Sequence, residues 1–371
     1  MNERLVNEFM DLVRIDSETK NERQIADHLK GALEALGFDV IEDDSAERSG
    51  HGAGNLIATL PATKEGGDFI YFTCHMDTVT PGVGIDPRIE DGAVVSDGTT
   101  ILGADDKAGI AALFEMVRQL KEQDVAHGPI QFVITAGEES GLAGAKAMDP
   151  SLLKASYGYA VDSTGKVGGI VYAAPYQEKI DIRIIGKTAH AGVAPERGIS
   201  AINVASKAIA NMTLGRIDEE TTANIGRFEG GQATNIVCDE VNILAEARSI
   251  NEQKLERQVA HMVEVFEQTA EQMGARAEVT TTRMYPGFYV ADDAPVIDVA
   301  KRAIESIGRE VVLETSGGGS DGNIFNGFGV PTVTLAVGYE EIHTTNERMP
   351  IEELEKLADL LVAIVKEAAN E

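Results

Sequence analysis

Phe69-Ile70-Tyr71-Phe72-Thr73-Cys74-His75-Met76-Asp77 is an apolar, strand-like run that ends on an imidazole and a carboxylate. Side chains two apart along a strand share a face, so His75 and Asp77 point the same way. The pattern recurs downstream. Ile130-Gln131-Phe132-Val133-Ile134-Thr135 leads into Glu138-Glu139, Tyr159-Ala160-Val161 into Asp162, and Val330-Pro331-Thr332-Val333-Thr334-Leu335 towards His343. In an open α/β sheet, ligands bind in the crevice beyond the carboxyl ends of the strands, so these segments are expected to converge on one site. Their nitrogen and oxygen donors are of the kinds zinc accepts. A metal-dependent enzyme is the expectation.

Around these runs the chain alternates between helical and extended patterns. Leu5, Phe9, Leu12 and Val13, then Ile25, Leu29, Leu33 and Leu36, carry helical spacing, interrupted at Ser17-Glu18-Thr19. Gly37 closes the second helix, and Phe38–Ile41 and Asn55–Leu60 read as strands. Asp105 opens an Ala-rich helix running to about Leu120. Helices and strands alternating in this way predict an α/β domain. Near Tyr176 the pattern changes to strand (178–186), helix (199–212), strand (222–229), strand (236–249), helix (252–272) and strand (275–283). That is the split βαβ, ferredoxin-like order βαββαβ, an α+β unit able to fold by itself. The expected organisation is one α/β domain of residues 1–175 and 287–371, with residues 176–286 inserted into it.

Composition narrows the function. With 32 basic and 61 acidic residues the net charge is −29, which repels phosphate backbones and anionic lipid and argues against nucleic acid or a membrane surface as partner. No apolar run is long enough to span a bilayer, and the opening Met1-Asn2-Glu3-Arg4-Leu5 lacks the pattern of a secretory signal, so a cytoplasmic protein is expected. Cys74 and Cys238 form no disulfide framework and no paired metal-thiol spacing.

Several motifs carry chemistry. In Gly137-Glu138-Glu139-Ser140-Gly141, two adjacent carboxylates between glycines suit a division of labour in which one ligates metal and the other moves protons. Asp77 is placed to orient His75, since a metal-bound His passes its other ring proton to an outer acceptor. Asp105, in Gly103-Ala104-Asp105-Asp106-Lys107-Ala108-Gly109, reads by itself as a helix N-cap. Arg248 offers a fork for a substrate carboxylate, and Asn235 precedes the same strand. Ser316-Gly317-Gly318-Gly319-Ser320-Asp321-Gly322 lacks the Lys-Ser or Lys-Thr pair of a nucleotide loop; its backbone N–H groups at Gly318 and Gly319 can hold a carboxylate, and a plain turn is the alternative.

In order along the chain, Cys74-His75-Met76-Asp77-Thr78, Leu102–Gly109, Gly137–Gly141, Val161-Asp162-Ser163-Thr164-Gly165, Gly318–Gly322 and His343 resemble the M20 family of co-catalytic zinc peptidases and deacylases, in its peptidase T-like branch. The resemblance covers almost the whole chain. It implies a mixed-sheet zinc peptidase domain with an inserted lid, and two divalent metal ions, zinc first, with cobalt or manganese as alternatives. It implies that Asp105 bridges the metals, with His75 and Asp162 on one and Glu139 and His343 on the other. Glu138 becomes the general base, the Asp105–Asp106 peptide is expected to be cis, and His190, in Gly186-Lys187-Thr188-Ala189-His190-Ala191-Gly192, is expected to approach the scissile carbonyl. Asn235, Arg248, Gly318 and Gly319 join it as substrate-binding residues, and a homodimer through the lid is implied. The implied reaction is removal of the N-terminal residue from short peptides. A carboxypeptidase or N-acyl-amino-acid amidohydrolase is the second reading, and a non-catalytic peptide-binding relative the third.

Overall fold

The computed structural model describes residues 1–370, which fall into two compact units. The larger comprises Met1–Ala173, Val290–Ser316 and the residues from Ser320 onward; the smaller comprises Ala174–Tyr289 together with Gly317–Gly319. The glycine loop thus groups with the small unit, although its sequence position lies within the later half of the large one.

The large unit is built on a mixed sheet of β1 (Asp39–Glu42), β2 (Leu56–Leu60), β3 (Ile70–His75), β4 (Ile130–Thr135), β5 (Tyr157–Ser163), β6 (Gly169–Ala174), β7 (Val312–Thr315) and β8 (Thr332–Ala336). Their order is β1-β2-β4-β3-β5-β8-β6, with β7 paired to β6. The pairs β4/β3, β3/β5 and β5/β8 are parallel, so the carboxyl ends of these four strands lie along one edge. β3 and β4 are buried along their whole length, which explains why they read as continuous apolar runs instead of alternating.

Five long helices belong to the same unit: α1 (Glu3–Val13), the helix Arg23–Ala35, α2 (Ala104–Glu122), α3 (Pro295–Ser306) and α4 (Ile351–Ala368). α2 is the central one. Its Ala108, Ile110, Ala111, Ala112, Leu113 and Phe114 are fully buried, so the helix is apolar nearly all round. Gly109 lets it lie close to the sheet, since a Cβ there would stand 2.8 Å from Cys74 Sγ and 2.9 Å from the Val161 carbonyl. On α4, Leu354, Leu357, Leu360 and Leu361 are fully buried, and truncating any one to Ala would cost about 2–5 kcal/mol. Three strands of three residues each, Arg88–Glu90, Ala93–Val95 and Arg348–Pro350, form a separate small sheet. Elements so short leave no periodicity to read. No helix among the described residues is long and apolar enough to cross a membrane.

The small unit has the βαββαβ order, with strands Tyr176–Ile185, Thr221–Gly230, Glu240–Ser249 and Arg276–Tyr285 and helices Ala201–Ala210 and Glu252–Gln272. The first strand lies between the third and the fourth, every pair is antiparallel, and Gly215–Arg216 adds a short edge. Ile180, Ile182, Ile184, Val241, Ile243, Val204, Leu255, Met262 and Phe266 form its core. The third strand begins at Glu240 and not at Ile236. The preceding residues bond the loop after the first strand instead, through Ala191 N–H to Asn235 O, Val237 N–H to Ala189 O and Gly186 N–H to Asp239 O.

Candidate metal centre

At the carboxyl edge of the large sheet, His75 closes β3 and Asp162 lies near the end of β5, while Glu138 and Glu139 follow β4 and His343 follows β8. Asp105 stands at the start of α2, in a non-helical conformation just before the cis peptide that joins it to Asp106. Donor atoms of His75, Asp105 and Asp162 lie within 4.8 Å of one another, as do those of Asp105, Glu139 and His343, and those of His75, Glu138 and Glu139. Asp105 divides its carboxylate between two neighbours. Its Oδ1 is 3.0 Å from His75 Nε2, and its Oδ2 is 3.2 Å from His343 Nε2, which also lies 2.9 Å from Glu139 Oε1.

The imidazole of His75 is fixed from behind. Its Nδ1 lies 2.8 Å from the Asp77 carbonyl oxygen and 3.4 Å from Asp77 Oδ1. A carbonyl can only accept, so Nδ1 carries a proton and Nε2 is the atom presented to Asp105 and Asp162. The Asp77 carboxylate also accepts the backbone N–H of Glu138 at 3.0 Å and of Glu139 at 3.2 Å. One buried residue therefore steers a histidine with its main chain and the two-glutamate turn with its side chain.

The electrostatics call for positive charge. Burial pushes the carboxyl groups of Asp162 and Glu138 well above the usual range; neighbouring Asp105 adds to this for Asp162, and Asp162 for Glu138. Burial opposes a proton on His75, yet its bonds to Asp105 and Asp77 hold it well above 6.5; bonds to Asp105 and Glu139 raise His343 to about 10. A neutral His75 Nε2 facing a carboxylate oxygen sets lone pair against lone pair unless a proton or a cation lies between them. Imidazole and carboxylate donors shared through Asp105 fit two divalent cations, whose binding would displace the imidazole protons.

The sequence model of peptidase family M20/M25/M40 matches residues 71–367, a span that includes every one of these donors. The chain belongs to that family. It is a hydrolase acting on peptide bonds. Among the proteins similar over nearly its full length are the following three. The structure of aminopeptidase PepT from Bacillus cereus ATCC 10987 shares 64% identity at a TM-score of 0.96, covering 99% of this chain and 98% of that one. The structure of a tripeptidase from Staphylococcus aureus shares 52% identity at a TM-score of 0.98, covering 100% and 99%. YqjE of Bacillus subtilis strain 168, named an uncharacterized protein, is 62% identical over 367 residues, 99% of each chain.

In this M20 peptidase the remaining residues singled out from sequence all lie in the small unit. His190 is exposed, and its Nδ1 accepts the N–H groups of Gly192 at 3.1 Å and Val193 at 3.2 Å, which turns Nε2 outward. Asn235 bonds the same loop through its carbonyl. The fork of Arg248 is held by Glu246, Nε to Oε1 at 2.9 Å and Nη2 to Oε2 at 3.1 Å, while Nη1 donates to Tyr285 Oη and the Gly317 carbonyl. Gly319 lies flat on the Tyr285 ring, where a Cβ would stand 2.4 Å from Cζ.

Sequence reasoning missed several groups around the M20 centre. Tyr339 Oη donates to Asp162 at 3.2 Å. Asp321, raised to about 6 by burial, bonds the Thr135 hydroxyl beside His75. Buried Lys107, lowered to about 7 by desolvation, donates to the Ile15 carbonyl at 2.7 Å. Glu347 collects three backbone N–H groups just ahead of and at Asp105. Asp321 and Lys107 carried a signal, as members of the glycine-rich motif and of the Asp105 motif; Tyr339 and Glu347 depend on contacts between distant segments.

Proposed function

We propose that this M20 peptidase removes the N-terminal residue from short peptides, tripeptides among them, at a two-metal site. The observation that carries the reading is the split carboxylate of Asp105, with one oxygen towards His75 and the other towards His343, beside a glutamate pair on a fixed turn. The aminopeptidase and tripeptidase names of two whole-length relatives support the choice of peptide end. His75 and Asp162 would hold one ion, Glu139 and His343 the other, and Asp105 both. Zinc is the first candidate, and cobalt or manganese suits the same ligands. Bound there, such ions supply Lewis acidity, polarising the scissile carbonyl and acidifying water.

The chain's own groups do the rest. Glu138, pushed up by burial beside Asp162, takes the proton from the water that adds to the carbonyl carbon. The C–N bond then breaks and Glu138 returns that proton to the leaving amine. Asp77 keeps Glu138 and Glu139 in place by accepting their N–H groups, and its carbonyl keeps His75 on one tautomer. His190, Asn235, Arg248 and the backbone at Gly318 and Gly319 are the proposed peptide contacts. A cytoplasmic location and a homodimer through the small unit belong to the same proposal.

The test is a digest of free tripeptides, end-blocked tripeptides and N-acetyl amino acids by metal-reconstituted enzyme, read by mass spectrometry. Loss of the first residue, abolished by chelator and restored by Zn²⁺, Co²⁺ or Mn²⁺, is expected. Loss of the last residue, or turnover of N-acetyl amino acids alone, overturns the aminopeptidase reading. Hydrolysis that survives chelation overturns the metal site.

A further inference from the structure

We infer that Glu347 is a positioning residue that locks the bridging carboxylate Asp105 and the His343 loop into one rigid arrangement. The inference rests on the two-metal reading above. Glu347 is only 2% exposed, and its carboxylate is wholly engaged. Oε2 accepts the N–H groups of Leu102 at 2.7 Å and Gly103 at 2.8 Å, and Oε1 accepts that of Asp105 at 3.1 Å. These donors lead into α2, where the first N–H groups of a helix have no partner within it. A buried main-chain donor left unpaired is costly, and a carboxylate with two oxygens satisfies three at once. Gly103, at φ +75°, makes the turn that aims them at Glu347.

The other end of Glu347 belongs to the His343 loop. Glu340 and Arg348 close that loop with a pair of backbone bonds of 2.9 and 3.0 Å, and the Glu347 N–H donates to the Thr344 carbonyl at 3.2 Å. Within it Glu341 and His343 take φ of +54° and +63°, a region non-glycine residues enter only when held there. From Arg348 the chain passes into a strand paired with Ala93–Val95. Glu347 therefore joins two segments, each supplying a proposed ligand to the same ion. Asp105 is also the ligand the two ions would share. A displaced Asp105 would disturb both.

The test uses full-length protein stripped by chelator and titrated with Zn²⁺ against a chromophoric competitor, beside kcat and KM on a free tripeptide. Glu347→Gln keeps the shape but sets an NH₂ group against at least one of the backbone donors. It is expected to weaken the binding of at least one ion by about 10–100-fold, the range for losing an outer-shell partner, and to lower kcat with little change in KM. Glu347→Ala should weaken it further; if that variant does not fold, Glu347→Gln decides. A Glu347→Gln protein that binds both ions as wild type does, and turns over normally, overturns the inference even if its thermal stability is reduced. Wild-type protein that binds no ion overturns the two-metal reading and this inference with it.

Discussion

Replacing Gly137 with alanine tests how the two-glutamate turn is held. Gly137 sits at φ +68°, and an added Cβ would lie 2.3 Å from His51 Nε2 and 2.4 Å from Cδ2. Ser140 Oγ donates to the Gly137 carbonyl at 3.1 Å, so the His51 Nε2–H donates to Ser140 Oγ across 2.7 Å. The substitution thus carries a backbone penalty of about 1–2 kcal/mol, loses a hydrogen bond of about 0.5–1.5 kcal/mol, and overpacks a ring at about 1–3 kcal/mol. A total near 3–6 kcal/mol is expected from chemical denaturation of the metal-free protein. In a His51→Ala background the ring and its bond are already gone. There the same glycine replacement should cost only the backbone part, about 1–2 kcal/mol, which gives a coupling of about 2–4 kcal/mol between the two sites. In the single variant, kcat should fall about 100-fold if Glu138 shifts by about 1 Å, and part of it should return in the double variant. Additivity to within about 0.5 kcal/mol would mean that His51 does not brace the turn, and the reasoning fails.

Glu138→Gln is isosteric and should retain both metals while kcat drops about 10²–10⁴-fold; near-normal turnover removes Glu138 as the base. In metal-free protein, His343 is raised from 6.5 to about 10, chiefly by its bond to Asp105 and then by that to Glu139. A raised value stabilises fully below the unfolded pKa and is lost as pH climbs through the folded one. The Tm advantage of wild type over His343→Asn should therefore shrink between pH 6.5 and about 10, and an advantage that grows over this interval contradicts the pairing. Because both imidazoles hold protons before metal binds, zinc uptake at neutral pH should release protons, measurable by calorimetry in buffers of different ionisation enthalpy; a buffer-independent heat contradicts this. Gly319→Ala should press on the Tyr285 ring, cost the small unit about 1–3 kcal/mol by denaturation and be relieved by Tyr285→Ala; absence of that relief counts against the contact.

Much of the large unit was legible because buried parallel strands announce themselves as apolar runs and each run was followed by a polar donor. Of those donors, His75, Glu139, Asp162 and His343 share clusters with Asp105, and Glu138 shares one with His75 and Glu139. Asp105 alone read as a helix cap; the family pattern marked it out and also implied the cis peptide found after it. The division of labour within Asp77 was not legible. Periodicity gives the side of a strand on which a residue lies but not whether its carbonyl or its carboxylate meets the imidazole. Glu347 was invisible for a related reason, since its donors are some 240 residues away in sequence. For Arg248 the sequence leaves both a carboxylate fork and an ion pair open; in the structure Glu246, two residues earlier on the same strand face, pairs with it. Gly317–Gly319 group with the small unit through contacts such as those with Arg248 and Tyr285, which no composition shift along the chain records.

The place of β8 sets when the large sheet can first be completed. This strand lies between β5 and β6, yet the ribosome makes it only after the entire small unit. His343 emerges about 180 residues after Asp162, a delay on the order of 10–40 s at ordinary elongation speeds. A nascent chain therefore holds His75, Asp105, Glu139 and Asp162 for many seconds without the strand that fills the middle of the sheet or the last imidazole. On the two-metal reading proposed above, the ligand set is completed only when translation is nearly finished.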